Sequence, residues 1–152
     1  MIELKEMTAQ ERDHYRKYGV KAYADDLARS FQLSQEQALI EAEANFKRGL
    51  AMPGQRLVSA RLPNVEGSIA TVWYAIEQRT FGKQLFIYDF EVTHAWRGKG
   101  YGERVLNAVL DAARAQGVEY AELTVFNDNP TAARLYSKLG FDAVTTRMRR
   151  RL

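Results

Sequence analysis

Apolar residues along this chain recur at helical spacing, then at alternate positions, then at helical spacing again, and those changes divide it into elements. Ile2 to Leu4 reads as a short first strand. Thr8 with Glu11 three residues later is the pattern of a capping box, and the helix that follows carries Tyr15, Tyr18, Ala22 and Leu27 along one side. Gly19 is a place for that helix to bend. Ser34 with Gln37 opens a second helix, in which Ala38, Ala42 and Phe46 repeat every four residues. Gly49, then Pro53-Gly54, are its stop signals.

From Arg56 to Leu62 and from Ser68 to Glu77 the content of β-branched and aromatic residues rises, with Pro63-Asn64 and Gly67 as turn signals between, which predicts a hairpin. Gln78 to Lys83 turns the chain into a third strand, Leu85 to Val92, giving an antiparallel meander. Three alternating glycines follow, and then a helix with Val105, Leu106, Val109, Leu110 and Ala113 on one stripe. Gln116-Gly117 stops it. Tyr120 to Phe126 alternates as a strand reached by a helical crossover, so it should run parallel to the previous one. Asn129-Pro130 pairs an N-cap with proline at the first helical position, and Ala132, Leu135, Tyr136 and Leu139 form the buried side of a helix that ends at Gly140. Phe141 to Leu152 reads as one or two last strands. The order predicts one domain over residues 1–152, of mixed α/β class, with a sheet of six to seven strands and about four helices on its two faces.

Composition changes this picture in few places. The absence of cysteine excludes disulfides, a thiolate nucleophile and Cys-type zinc sites. No run approaches the ~20 apolar residues of a membrane span, and Met1 to Glu6 lack the apolar core of a signal peptide, so a cytoplasmic protein is expected. The net charge of +3 is concentrated in Arg147, Arg149, Arg150 and Arg151. On an edge strand such arginines guard against edge pairing; a nucleic-acid surface would also need interleaved aromatics and a basic recognition helix, which are missing.

The stretch Arg97-Gly98-Lys99-Gly100-Tyr101-Gly102 is a glycine loop between a strand and a helix. Such a loop leaves backbone N–H groups without partners at the positive end of a helix, where a phosphate fits. It is not a dinucleotide fingerprint, which needs its third glycine where this chain has Glu103, nor an NTPase loop, which needs Gly-Lys-Ser/Thr. One glycine is enough for a tight turn; three exceed that need.

The loop fits the pattern Arg-x-x-Gly-x-Gly. Downstream, Val125, Asn129, Ala132, Leu135-Tyr136 and Gly140-Phe141 follow at the spacing of a second signature. In both respects the chain resembles the GNAT superfamily of N-acetyltransferases, over roughly Phe86 to Val144. The resemblance implies acetyl-coenzyme A as cosubstrate and an amine as acceptor, joined by direct attack in a ternary complex. It assigns cosubstrate contacts to Val92, Thr93, Arg97, Gly98, Lys99, Gly100, Tyr101, Gly102 and Asn129. The strands ending at Val92 and Phe126 would splay at their C-terminal ends to admit the pantetheine arm as an extra strand. Tyr136 matches the position that protonates the leaving thiolate, although a tyrosine on an apolar stripe is also a core residue.

The proton acceptor is less determined. Asp89 and Glu91 stand two apart on the central strand, so strict alternation sends both to the face shared with Leu85 and Ile87. Carboxylates on an apolar strand are costly unless paired, hydrated or useful. Glu91, nearer the open end, is the first choice for the base; Asp89 could instead be an ion-pair partner for an arginine, and so could Glu91, while Glu122 with Thr124 occupy the other region where the family sometimes places a base, which leaves a water chain without one dominant carboxylate as a further alternative. His94 and His14 are isolated, and no His/Asp/Glu cluster has metal-ligand spacing, so no metal is expected. The segment Thr8 to Leu50 would form part of the acceptor wall, with Tyr15, Tyr18 and Tyr23 lining it and Asp25 and Asp26 offering charge. The acceptor's identity and a homodimeric state stay open. A coenzyme-binding domain of the same fold without turnover is the alternative reading.

Overall fold

Two capping boxes start the long helices. Thr8 Oγ1 accepts from the Glu11 N–H at 3.1 Å while the Glu11 carboxylate accepts from the Thr8 N–H at 2.8 Å, and Ser34 with Gln37 repeats the arrangement. The computed structural model describes residues 1–152. After a short strand β1 (Glu3–Glu6), these boxes open α1 (Ala9–Phe31) and α2 (Gln35–Ala51). Helix α1 buries Tyr15, Val20, Ala24 and Leu27, so its inner stripe passes through Val20 and Ala24 rather than Tyr18 and Ala22. Tyr18 is exposed and lies against the ring of His14.

Helix α2 ends at Ala51, between Gly49 and Pro53-Gly54 as expected, and Gly19 and Gly49 also serve packing. A Cβ at Gly19 would lie 3.1 Å from the Phe46 ring, and one at Gly49 would lie 2.8 Å from the ring of Trp73. Both glycines let an aromatic ring approach helix backbone, and each helix continues through its glycine.

The sheet has the order β1-β2-β3-β4-β5, with β2 (Gln55–Arg61), β3 (Ala70–Arg79) and β4 (Gly82–Val92) forming the expected meander. Helix α3 (Tyr101–Arg114) crosses over to β5 (Tyr120–Leu123), which is parallel to β4, and α4 (Pro130–Lys138) follows. On one face α3 packs Val105, Leu106, Val109 and Ala113 against Val72, Leu85 and Ile87. On the other, α1 and α2 enclose Phe46, Leu57 and Trp73. Complete burial of a side chain the size of Leu85 or Leu106 contributes roughly 1.5–3 kcal/mol, which makes these two layers the main support of the sheet.

The fold is the mixed α/β arrangement with four helices and one parallel pair, but with five strands rather than six or seven. Residues 141–152 form no strand. Phe141 donates its N–H to the Tyr136 carbonyl, and residues 142–152 take no part in backbone hydrogen bonding. Their apolar residues Val144, Met148 and Leu152 are too few and too exposed to pin a strand to the sheet. The arginines therefore guard no edge strand. Arg147 and Arg149 instead place their guanidinium groups over the Phe31 ring, at 5.7 and 5.4 Å.

One irregularity matters for function. Trp73 of β3 lies opposite Asp89, but its neighbour Tyr74 lies opposite Ile87, so Tyr88 is an extra residue in β4. This β-bulge reverses the alternation. Before it, Leu85 and Ile87 face α3; after it, Phe90 and Val92 pack toward α3 and Asp89 faces α1. The expectation that Asp89 and Glu91 share a face with Leu85 and Ile87 is thus corrected: a single inserted residue shifts a period-two pattern by one step.

Candidate functional site

The parallel pairing of β4 with β5 runs from Gln84 opposite Tyr120 to Ile87 opposite Leu123 and stops there. Beyond Ile87, β4 continues to Val92 with β3 as its one neighbour, so its other edge is open. The Thr93 N–H donates to the Ile69 carbonyl at 2.8 Å. Antiparallel pairing alternates its bonds, so the N–H and C=O of Val92, one residue earlier, point away from β3 into the open gap. The Val92 carbonyl accepts there from Arg97 Nε at 2.8 Å, and the same guanidinium donates to Glu91 Oε1 at 2.8 Å.

After a 3-10 turn at His94–Trp96 comes the glycine loop. Gly98 and Gly100 have φ of +70° and +79°, and a Cβ at either would meet no atom within 4 Å. They are needed for a left-handed backbone beside open space. Gly102 differs: its backbone is helical, and a Cβ would lie 3.1 Å from Leu135 Cδ2, so it permits α3 to approach α4. From Gly98 to Glu103 no backbone N–H donates to another group of the chain. These donors stand at the positive end of a 14-residue helix. Lys99 donates to the Ala95 carbonyl at 2.9 Å with its ammonium over the Trp96 ring, and Tyr101 packs edge-on against the same ring.

Across the gap, Asn129 accepts from the Ala132 N–H at 3.2 Å, capping α4, while its side-chain NH2 donates to nothing in the chain. Tyr136, on the inner side of α4, is half-buried with its ring edge-on to Phe141 at 5.9 Å. Burial, and then the negative charge of Asp89, push its phenol above the ordinary tyrosine value, so it is protonated at neutral pH. On the sheet face opposite α3, Asp89 Oδ2 accepts a 2.5 Å hydrogen bond from the Tyr15 hydroxyl of α1. Burial raises the Asp89 carboxyl above the usual carboxylate range; the Tyr15 bond opposes this and the charge of Glu91 adds to it.

The Acetyltransferase (GNAT) family matches residues 23–141. The chain is also 32% identical to the uncharacterized N-acetyltransferase YycN of Bacillus subtilis, over 99% of both chains. The chain belongs to the GNAT acetyltransferase family. The crystal structure of YycN superimposes with a TM-score of 0.90, covering 100% of this chain and 99% of that one. A second relative, the N-alpha-acetyltransferase RimI of Mycobacterium tuberculosis, is 36% identical over 70% of this chain and 64% of its own length.

In this GNAT chain, the tertiary structure brings Tyr136 onto the apolar layer that includes Val92, and α4 against the helix of the glycine loop through Leu135 and Gly102. It separates others. Thr93 uses both donors on the β3 side, its Oγ1 reaching the Ser68 carbonyl at 3.2 Å. Glu91 is exposed and ion-paired with Arg97. Glu122 lines a shallow hollow with Glu77, Gln84 and Phe86. Of the acceptor-wall tyrosines, Tyr15 enters the site, Tyr23 packs against Phe46 and Phe126, and Tyr18 faces solvent. Asp25 pairs with Lys21, and Asp26 is held with Asp128 by Arg29. The Tyr15–Asp89 pair had no signal in the sequence, because it depends on a bulge that hydrophobic spacing does not announce.

Proposed function

We propose that residues 1–152 act as one acetyltransferase domain that moves an acetyl group from acetyl-coenzyme A to a primary amine, with both substrates bound together. One observation carries this reading: the open edge of β4 ends at a loop whose unpaired amides run from Gly98 to Glu103. The edge suits an extended amide-bearing arm, and the amides suit a pyrophosphate. Acetyl-coenzyme A supplies an acetyl group already activated as a thioester.

Each residue of the gap then has a task. The amides of Gly98 to Glu103 hold the pyrophosphate, with Lys99 and Arg97 adding positive charge. Arg97 must release the Val92 carbonyl if the arm is to bond there, and Glu91 is the partner that keeps its guanidinium close. The Val92 N–H points where a thioester oxygen gains negative charge during attack, which is the placement that stabilises acyl transfer. Asn129 offers its free NH2 from the other side. Tyr136, held in its phenol form, donates the proton that the leaving sulfur needs.

The test is thiol release from acetyl-coenzyme A by the purified protein over a panel of primary amines. The Mycobacterium relative is named for acetylation of an α-amine, so peptide N-termini belong in the panel beside small amines and polyamines. Amine-dependent release supports the reading. Tight coenzyme binding with no release on any amine would favour a binding domain without turnover.

A further inference from the structure

We propose that Asp89, held in place by the Tyr15 hydroxyl, takes the proton from the acceptor amine, and that Tyr15 is a positioning residue for it. The inference rests on the transferase reading above and concerns how that site handles the acceptor. Three observations support it. The bulge at Tyr88 turns Asp89 out of the α3 face and toward α1, across the sheet from the hydrophobic layer that would otherwise enclose it. Asp89 has no cationic partner: the ion-pair alternative read from the sequence is absent, whereas Glu91 carries Arg97. The negative charge of Asp89 also acts on the Tyr136 phenol, and β4, which carries Asp89, has an open edge beyond Ile87.

The charged and titratable groups facing Asp89 are Tyr15 and Asp26 from α1, Glu91 from its own strand and Tyr136 from α4. None is a cation. An ammonium arriving here finds negative charge and a half-buried carboxylate whose proton affinity is raised by burial, the direction that favours a general base. The Tyr15 hydroxyl fixes Asp89 Oδ2, and the Phe90 backbone N–H also favours the ionised carboxylate, so the group is held in place with lone pairs remaining for the amine. Chemically, the ammonium gives one proton to Asp89, and the neutral nitrogen bonds to the acetyl carbon. The carbon–sulfur bond breaks, and the sulfur takes the Tyr136 phenol proton. The second proton leaving nitrogen restores that phenol through solvent, and Asp89 releases its own to solvent, so the products are amide, free thiol and one proton.

The experiment is the pH profile of kcat/KM for wild type, Asp89→Asn, Tyr15→Phe and Glu91→Gln, with coenzyme binding measured calorimetrically for each. Asp89→Asn should lower kcat/KM by roughly 100-fold or more at neutral pH with coenzyme affinity kept, the ordinary scale of a lost general base. Tyr15→Phe removes the bond that favours the carboxylate, so the acid limb should move to higher pH, a change that mere loosening of α1 would not produce. Glu91→Gln should retain an acid limb but move it to lower pH, because the Glu91 charge raises the Asp89 carboxyl. The proposal is overturned if Asp89→Asn retains turnover, if Glu91→Gln abolishes the acid limb, or if Tyr15→Phe leaves the limb unmoved. A wild type that releases no thiol on any amine would instead count against the transferase reading itself. If Asp89→Asn does not fold, the position of the limb in Tyr15→Phe decides.

Discussion

The Tyr15 hydroxyl of α1 and the Asp89 carboxylate of β4 meet at 2.5 Å across 74 residues of sequence. Their contact ties the first long helix to the strand that borders the open gap. Burial raises the proton affinity of both partners, which keeps Tyr15 a donor and makes ionised Asp89 a cost to the fold.

That cost has a sign that equilibrium unfolding can check. The folded-state pKa of Asp89 lies above its ordinary value of 3.8, so between the two the folded protein binds more protons than the unfolded chain. Stability is therefore lost as pH rises through that window. An asparagine still accepts from Tyr15 and carries no charge. Asp89→Asn should raise the denaturation midpoint at pH 7, with the advantage vanishing below about pH 4.

Tyr136→Phe removes the hydroxyl and keeps the ring against Phe141. Coenzyme affinity should be unchanged and kcat should fall roughly 100-fold, the lower end of what a lost general acid removes. Unchanged turnover would exclude Tyr136 as the proton donor.

Asn129 has two separable duties. Asn129→Ala should cost about 1 kcal/mol of stability through the lost cap and also weaken coenzyme binding. Asn129→Ser should recover the cap alone, because serine accepts from the Ala132 N–H but lacks the NH2 group. If serine restores affinity as well as stability, the NH2 contact is not used.

Gly49→Ala should destabilise the fold by about 1–3 kcal/mol, as overpacking does. The added methyl would meet the buried Trp73 ring, whose Nε1 is fixed by a 2.7 Å hydrogen bond to Gln55. Urea unfolding would measure it. Gly98→Ala differs in kind: nothing obstructs the methyl, and the left-handed backbone alone is strained by about 1–2 kcal/mol, so coenzyme affinity should suffer more than overall stability.

Acceptors should be discriminated by charge. Of the carboxylates near the proposed acceptor site Asp89 lacks an ion-pair partner, whereas Glu91 is paired with Arg97 and Asp26 shares Arg29 with Asp128, so diamines should exceed phosphorylated amines in kcat/KM by about 10-fold or more at low salt. The ratio should narrow as salt screens the surface.

Local chemistry made much of this legible without a structure. The capping boxes at Thr8 and Ser34, the stripe from Val105 to Ala113, and the Asn129-Pro130 start each depend on residues within one or two turns of each other, so their spacing alone determined the helices. The alternating glycines and the residues from Val125 to Phe141 likewise determined the family. Tertiary structure decided what depends on distant partners. That Gly19 and Gly49 admit the rings of Phe46 and Trp73 depends on distant partners, and Phe141 to Leu152 stays off the sheet because its apolar residues are too few and too exposed to hold it there. The face of Asp89 was decided in the same way. Alternation predicts a strand's faces only while its register with the neighbour is unbroken, and the bulge at Tyr88 is a property of two strands together, so Asp89 could find Tyr15 only once β3 and β4 had paired.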